Sequence, residues 1–427
     1  MNNSHHENFG VAPVGWEVKK LEEVAKFENG KAHEKNIDEG GKYIVVNSKF
    51  ISSDGKKYKR SNKNLSPLDE GDIAMVMSDV PNGKALAKCF LVNENNKFTL
   101  NQRVCSIKAV GVYNEFLYFS LNRNRYYLAF DNGVGQTNLR KSEVLECPVL
   151  LPPIKEQHKI VSILSSINKT IEKTEAIIGQ TEKVKKGLMQ QLLTKGIGHT
   201  RFKKTKMGEI PLGWEVKELV ELSNSNDRYA FTGGPFGSNL KSSDYTEDGV
   251  RIIQLQNIKD GYFANDYKIY TSESKANELF SCNIYPGDII IAKMAEPVAR
   301  ACIIPNYSDR YLMASDGIRL SVDKTKYITE YVTYAINAPY FRQQAVNNST
   351  GTTRLRIGLS TLRSLKILVP SIEEQKKIAD ILINIDRKIE KEQSKVLKLK
   401  ELKEGLMQSL LTGKVRVKVD EAEVTQV

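Results

Sequence analysis

A stretch of 43 residues, Pro152 to Thr194, returns 218 positions later as Pro370 to Thr412, and the two copies agree at 20 positions without a gap. A repeat of this length constrains the architecture more than any other signal, because whatever one copy folds into, the other must fold into as well. A second echo precedes each copy: Gly15, Trp16, Glu17, Val18, Lys19 and Leu21 recur as Gly213, Trp214, Glu215, Val216, Lys217 and Leu219. The two tryptophans of the chain therefore occupy the same place in each half, and the chain reads as a tandem duplication.

Each copy predicts one long helix. Seam positions, mostly apolar, step by four and three along Ile160, Leu164, Ile167, Ile171, Thr174, Ile178, Thr181, Lys185, Leu188 and Leu192. In the second copy they step along Ile378, Leu382, Ile385, Ile389, Glu392, Val396, Leu399, Lys403, Leu406 and Leu410. A narrow stripe held over more than four heptads calls for a partner helix along its length, and the other copy supplies it as an antiparallel coiled coil. Pro152 and Pro153 suit a first turn, Ser371 with Glu374 makes a capping box, and Gly196 and Gly413 are stop signals. The alternative is that each helix packs on its own globular domain.

The segments between the helices carry short β-type runs with fewer helical ones, which makes the fold class α+β. In the first segment YIVVNSKFI, GDIAMVM, KALAKCFLV and FTLNQRVCSI read as strands and EFLYFSLNRNRYYLAF as helix. In the second VRIIQLQNI, YKIYTS, GDIIIAK and ACIIP precede the helical EYVTYAINAPYFRQQAV. Gly71, Asp72 and Ile73 find counterparts in Gly287, Asp288 and Ile289, and Gly135, Thr137, Leu139 and Arg140 in Gly351, Thr353, Leu355 and Arg356. The division is a tail (1–14), a mixed α/β domain (15–151), a long helix (152–195), a basic linker (196–212), a second domain (213–369), a second long helix (370–413) and a tail (414–427). An antiparallel pairing of the helices predicts one domain at each end of a bar.

At 427 residues the chain is too long for a single core, and its net charge of +12 favours a polyanionic partner. Seven cations between Lys42 and Lys63 face only Asp54. Five scattered cysteines (Cys89, Cys105, Cys147, Cys282 and Cys302) suggest neither a disulfide framework nor a zinc knuckle. With no export signal and no apolar run of membrane-spanning length, a cytoplasmic location is expected.

Catalytic motifs are missing. The sequence has no GxxxxGK[ST] phosphate loop, no GxGxxG turn, no GxSxG elbow and no metal spacing among its histidines. His158 is expected on a solvated helix face. Asn337-Ala338-Pro339-Tyr340 approaches the Asn-Pro-Pro-Tyr loop of adenine-amino methyltransferases, but Ala338 replaces a proline and the stretch lies in a helical pattern. A helix end is the expectation there.

The polar loops suggest binding instead. The first domain offers Asn47, Lys49, Lys57, Arg60, Lys84, Gln102, Arg103, Gln136, Asn138 and Arg140. The second offers Lys241 after the loop Gly233 to Ser238, then Gln254, Gln256, Asn257, Lys293, Arg300, Arg319, and Thr352, Arg354 and Arg356. Arg, Gln and Asn can pair bidentately with purine edges, while Lys holds phosphates, so the set points to double-stranded DNA.

Taken together the chain resembles the specificity subunit of type I restriction-modification systems. The likeness rests on GWEVKKLEEVAKF and GWEVKELVEL, PFGSNLKSSDY with GVRIIQLQNI, GQTNLR and GTTRLR, PPIKEQHKI and PSIEEQKKI, and GLMQQLLT and GLMQSLLT. The resemblance implies two target-recognition domains, each reading half of a split site, with the helices as spacer. It also implies two methyltransferase subunits carrying S-adenosylmethionine and two ATP- and Mg-dependent translocase-nuclease subunits, so that this chain binds no cofactor and catalyses nothing itself. Readers related by a two-fold axis favour half-sites about 10 bp apart. Gly187 and Gly405, inside the helices, each cost about 1 kcal/mol against alanine; with Leu188, Met189, Leu406 and Met407 they are candidates for partner docking. The rival readings are a stand-alone DNA-binding or architectural protein and a self-contained methyltransferase or nuclease.

Overall fold

The computed structural model describes residues 12–294, 296–352 and 354–419. Residues 1–11, the repeat position Thr353 and the end of the C-terminal tail lie outside them. The chain forms two compact units, Met1–Glu175 with Ser394–Val427, and Ala176–Gln393. Each unit thus combines one domain, the start of the long helix that follows it and the end of the other long helix.

In the first unit Glu17–Lys20 pairs antiparallel with Pro148–Leu151, which closes the domain just before the central helix begins. A four-stranded antiparallel sheet runs in the order Ala25–Asn29, Val104–Ala109, Ile73–Val76, Cys89–Leu91. A three-stranded sheet runs Lys59–Ser61, Tyr43–Val46, Phe98–Leu100, and its last pair is parallel. The second unit repeats this plan. Glu215–Glu218 closes on Lys366–Val369, and the four-stranded order is Phe231–Gly233, Gly317–Leu320, Ile289–Ala292, Ala301–Ile303. The smaller sheet grows to five strands: Tyr245–Thr246, Ile269–Thr271, Val250–Ile253, Tyr311–Met313 and Asn283–Ile284, with Val250–Ile253 parallel to Tyr311–Met313.

The strand and helix readings need local correction. The run YIVVNSKFI is a strand only to Val46; Asn47 then accepts a hydrogen bond from Phe50 N and caps a helix, Ser48–Ser52. The predicted helix over 115–130 breaks at Arg123, held at φ 56° by its N–H to Ala87 O and its guanidinium to Leu86 O. Pro339 divides the second long helical run into Thr329–Asn337 and Pro339–Asn347, because proline tolerates only a first turn. The basic linker is itself a hairpin, Phe202–Thr205 against Gly208–Pro211.

The long helices span Ile154–Lys195 and Ile372–Leu410. All of the predicted stripe positions are buried or half-buried. The helices pack antiparallel: Glu175 pairs with Lys400 at 2.8 Å in the first unit, and Lys185 with Asp386 at 2.5 Å in the second. Each stripe also enters a domain core. Ile160, Leu164 and Leu410 join the core around Trp16, and Leu192, Leu193, Ile378 and Leu382 the core around Trp214. The helices therefore pack on one another and on their domains.

The repeated Glu-Gln pair at the start of each helix explains the repeated tryptophan. Trp16 Nε1 donates to Glu156 at 3.1 Å, and Trp214 Nε1 to Glu374 at 3.0 Å. Gln157 accepts from Tyr113 N and donates to Pro152 O, while Gln375 accepts from Ile328 N and donates to Pro370 O. The tail supplies Arg416 to Glu156, and the linker supplies Ile197 N and His199 to Glu374. Half of the predicted capping box is realised, Glu374 N to Ser371 Oγ at 3.3 Å, but the Glu374 carboxylate turns to Trp214 instead of back to Ser371. Gly196 at φ +66° sits where a Cβ would lie 2.4 Å from Glu374 Oε1, so this turn needs glycine.

Candidate nucleic-acid interface

In a parallel strand pair both C-terminal ends emerge on the same edge, so the loops that follow lie together. In the first unit that edge carries Asn47 and exposed Lys49 after one strand and Asn101, Gln102 and Arg103 after the other. Gln102 and Arg103 are exposed, and Gln102 Nε2 donates to Glu34 at 3.1 Å. In the second unit the same edge carries Gln254, Leu255, Gln256 and Asn257, opposite Ala314, Ser315 and Asp316.

The repeated Gly-x-Thr-x-Leu-Arg loops belong with the neighbouring four-stranded sheets. Asn138 pairs across to Ser78, and Leu139 N donates to Met77 O at 2.8 Å. In the second unit Arg356 bridges to Met294, Ile357 N donates to Lys293 O, and Lys293 N donates to Asp316 O at 2.7 Å. The Arg356 guanidinium also pairs with the Asp316 carboxylate. The loop with exposed Thr352 and Arg354 is thereby tied to the 314–316 turn.

Other predicted contact residues stand on the surface. Lys57, Lys84, Gln136, Arg140 and Lys241 are exposed, and Gln136 donates to Asn138 at 3.4 Å. Arg60 is half-buried over the Tyr58 ring and donates to Gly41 O. Lys56, Lys57, Tyr58 and Lys59 are exposed together where the chain enters the edge strand of the three-stranded sheet, which makes this a cationic patch.

Three predicted contacts are structural instead. Asn257 is fully buried; its amide donates to Ala264 O and Tyr267 O and its oxygen accepts from Gln254 N. Arg300 donates to the carbonyls of Leu255, Ile258 and Glu296, and burial lowers its pKa. Arg319 is 5% exposed and pairs with Asp288 at 2.6 Å and Asp227 at 2.7 Å. Asp288 also accepts from Tyr285 N, as Asp72 accepts from Asp69 N, so the repeated Gly-Asp-Ile is a turn whose aspartate closes it. Internal pairing removes all three side chains from the set available to a base.

An open recess of about 280 Å³ lies beside the second unit's strand-end edge, lined by Pro235, Phe236, Gly237, Leu240, Tyr245, Gln254, Leu255, Gln256, Ala314, Ser315, Asp316 and Gly317. Phe236 on its rim is 82% exposed. Phe236 and Asp316 were not among the predicted contacts. The signal for Phe236 was in the sequence, as a large apolar residue between glycines in a polar loop.

Asn337 is not a base-holding asparagine. Its oxygen accepts from Ala301 N at 3.0 Å and its amide donates to Ala301 O at 2.8 Å, which leaves an adenine amino group no free partner. His158 is exposed and stacks on Tyr113 with ring centroids 4.0 Å apart. Around Gly187 and Gly405 no atom would meet an added Cβ within 4 Å. Leu188 and Met189, and likewise Leu406 and Met407, turn instead onto the core of their own unit. Among the described residues no helix is long and apolar enough to cross a membrane.

The type I restriction modification DNA specificity domain matches the chain twice, over residues 13–183 and 211–400. The type I restriction enzyme MjaVIII specificity subunit of Methanocaldococcus jannaschii is 27% identical over 419 residues, which is 95% of this chain and 94% of that protein. The S subunit of a type I restriction-modification system from M. genitalium superposes with a TM-score of 0.57 at 16% identity, covering 95% of this chain and 98% of that one. A chain solved in work on complex assembly and conformational transition of a type I restriction-modification system gives the same TM-score at 18% identity, covering 95% and 100%. These last two likenesses concern the fold.

Proposed function

The chain belongs to the type I restriction-modification DNA specificity family, and from that premise we propose that it is the DNA-reading subunit of such a complex. It reads a bipartite, asymmetric site in double-stranded DNA with two target-recognition domains. The observation that carries this reading is the duplicated strand-end edge, the same backbone with different side chains: Lys49, Gln102 and Arg103 on one domain, Gln254, Gln256 and Asp316 on the other. Equal scaffolds give two equivalent approaches to the major groove, and unlike side chains give unlike half-sites. The lysines at 56, 57 and 59 supply phosphate contacts for the first domain.

In this reading the chain is non-catalytic and binds no cofactor of its own. Two methyltransferase subunits carry the S-adenosylmethionine, and two translocase-nuclease subunits bring ATP and Mg, in the cytoplasm. The bare backbone at Gly187 and Gly405 is the proposed place of closest approach for the methyltransferase subunits. The internal pairing of Asn337 supports the assignment of methyl transfer to a partner. The test is to map methylated adenines in the genome of a host with and without this chain. A split asymmetric motif that appears only with the chain is expected. Methylation by the purified chain alone overturns the non-catalytic assignment, and tight binding of a specific duplex with no partner recruited favours a stand-alone DNA-binding protein.

A further inference from the structure

The second unit holds a groove-reading element that the first unit builds differently. In each unit the outer strand of the four-stranded sheet runs into a loop that crosses the strand-end edge, and a glycine makes the crossing. An added Cβ at Gly30 would lie 2.1 Å from Asn101 O, and one at Gly234 would lie 1.9 Å from Ala314 O. Beyond that glycine the loops diverge. In the first unit the chain turns inward: His33 is 1% exposed, one ring nitrogen is 2.7 Å from Lys31 O and the other 2.8 Å from Thr99 Oγ1. In the second unit Pro235 follows, and Phe236 stands out over the recess. This exposed ring is held on a fixed loop: Gly234 N donates to Gly317 O and Asn239 N to Phe236 O, both at 2.8 Å.

The recess pairs apolar lining from Leu240 and Leu255 with an exposed amide from Gln256, which has no side-chain partner among the described residues. Asp316, the acid on the rim, is paired with Arg356, which reduces its repulsion of a phosphate backbone. In the major groove an A·T pair presents adenine N6 and N7, which a glutamine amide matches bidentately, beside a thymine methyl, which an aromatic ring covers. Resting on the DNA-reading function above, we propose that Gln256 and Phe236 together read one A·T pair in the half-site bound by the second domain.

The experiment uses the full chain co-expressed with its methyltransferase subunits, with the methylated motif read by genome sequencing. Phe236→Ala and Gln256→Ala are each expected to lower discrimination at one A·T position of one half-site by about tenfold or more, with the other half-site unchanged. Gln256→Arg is expected to move the preference at that position toward G·C, because arginine pairs with guanine O6 and N7. Both side chains are exposed, so a Trp214 fluorescence transition of the chain in a Trp16→Phe background, unmoved by either substitution, confirms that the domain is folded. An unchanged motif in both alanine variants overturns the proposal while leaving the DNA-reading function standing. An effect at a G·C position, at both half-sites, or a loss of all methylation in folded variants overturns it as well. If the wild-type complex yields no bipartite motif, the underlying function fails and this proposal with it.

Discussion

Each unit contains one tryptophan, and each indole is tied to the glutamate that opens its own domain's helix, so the two ties can be tested separately. Glu156 has a side chain only 4% exposed and accepts from Trp16 Nε1 and from Arg416 Nε and Nη2. Glu156→Ala takes the acceptor from an indole that is 6% exposed. A buried donor left without a partner costs about 1–3 kcal/mol. For a unit of roughly 200 residues each kcal/mol is worth about 2–4 °C, so a mid-range loss of about 2 kcal/mol lowers the first unit's transition by about 4–8 °C. The assay is thermal unfolding followed by fluorescence. In a Trp214→Phe background Trp16 is the only reporter, and in a Trp16→Phe background only Trp214 reports. Glu156→Ala should move the first transition and not the second, and Glu156→Gln, which keeps an oxygen for the indole, should restore most of the shift. A Trp16 transition that does not move, or a Trp214 transition that moves equally, refutes the reasoning.

The helix seam offers a second test. Lys185 has Asp386, but Lys403, which lies 218 positions on, has Asn168 at the position that corresponds to Asp386. Burial holds the Lys403 ammonium below the usual lysine range despite Asp54 and Glu172 nearby, so the folded state disfavours its charge and the first unit gains stability as pH rises toward the unfolded lysine value, about 10.4. Asn168→Asp should raise the Lys403 pKa, stabilise the first unit by up to about 1 kcal/mol near neutral pH and flatten that alkaline gain; the pH dependence of the Trp16 transition checks this. Replacing Gly187 and Gly405 with tryptophan meets no internal clash at the added Cβ, so the chain should stay folded while losing methyltransferase subunits in size-exclusion co-purification; unchanged assembly removes the docking assignment. Inserting four residues into each long helix adds about 6 Å of rise, which should lengthen the unread gap of the methylated motif by about two base pairs, whereas an unchanged gap rules out the helices as ruler.

The helices and the two-domain plan were legible because they rest on long-range periodicity and on repetition. The stripes from Ile160 to Leu192 and from Ile378 to Leu410 needed only a period and a length. The candidate interface was legible only as residue types. Lys49, Gln102, Gln254 and Gln256 follow strands that pair in parallel, and that pairing, which brings their loops together, was not legible in the sequence. Asn257, Arg300 and Arg319 are misread from residue type, which does not distinguish a solvated amide or guanidinium from one bonded to Tyr267 O, Leu255 O or Asp288. For the arginines those acceptors lie as far as 45 and 31 residues away along the chain, on segments that only the fold brings close. The Glu156 and Glu374 ties were visible only as matched letters in the repeat, since the tryptophan each one holds is 140 or 160 positions away.

The tie and the reading loop share no atoms. Trp214, Glu374 and His199 hold the second unit together at the root of its helix, whereas Phe236 and Gln256 lie on loops that no bond of that tie reaches. On the proposed assignment, exchanging the exposed side chains at 236 and 256 therefore changes the bases that are read with little penalty to folding.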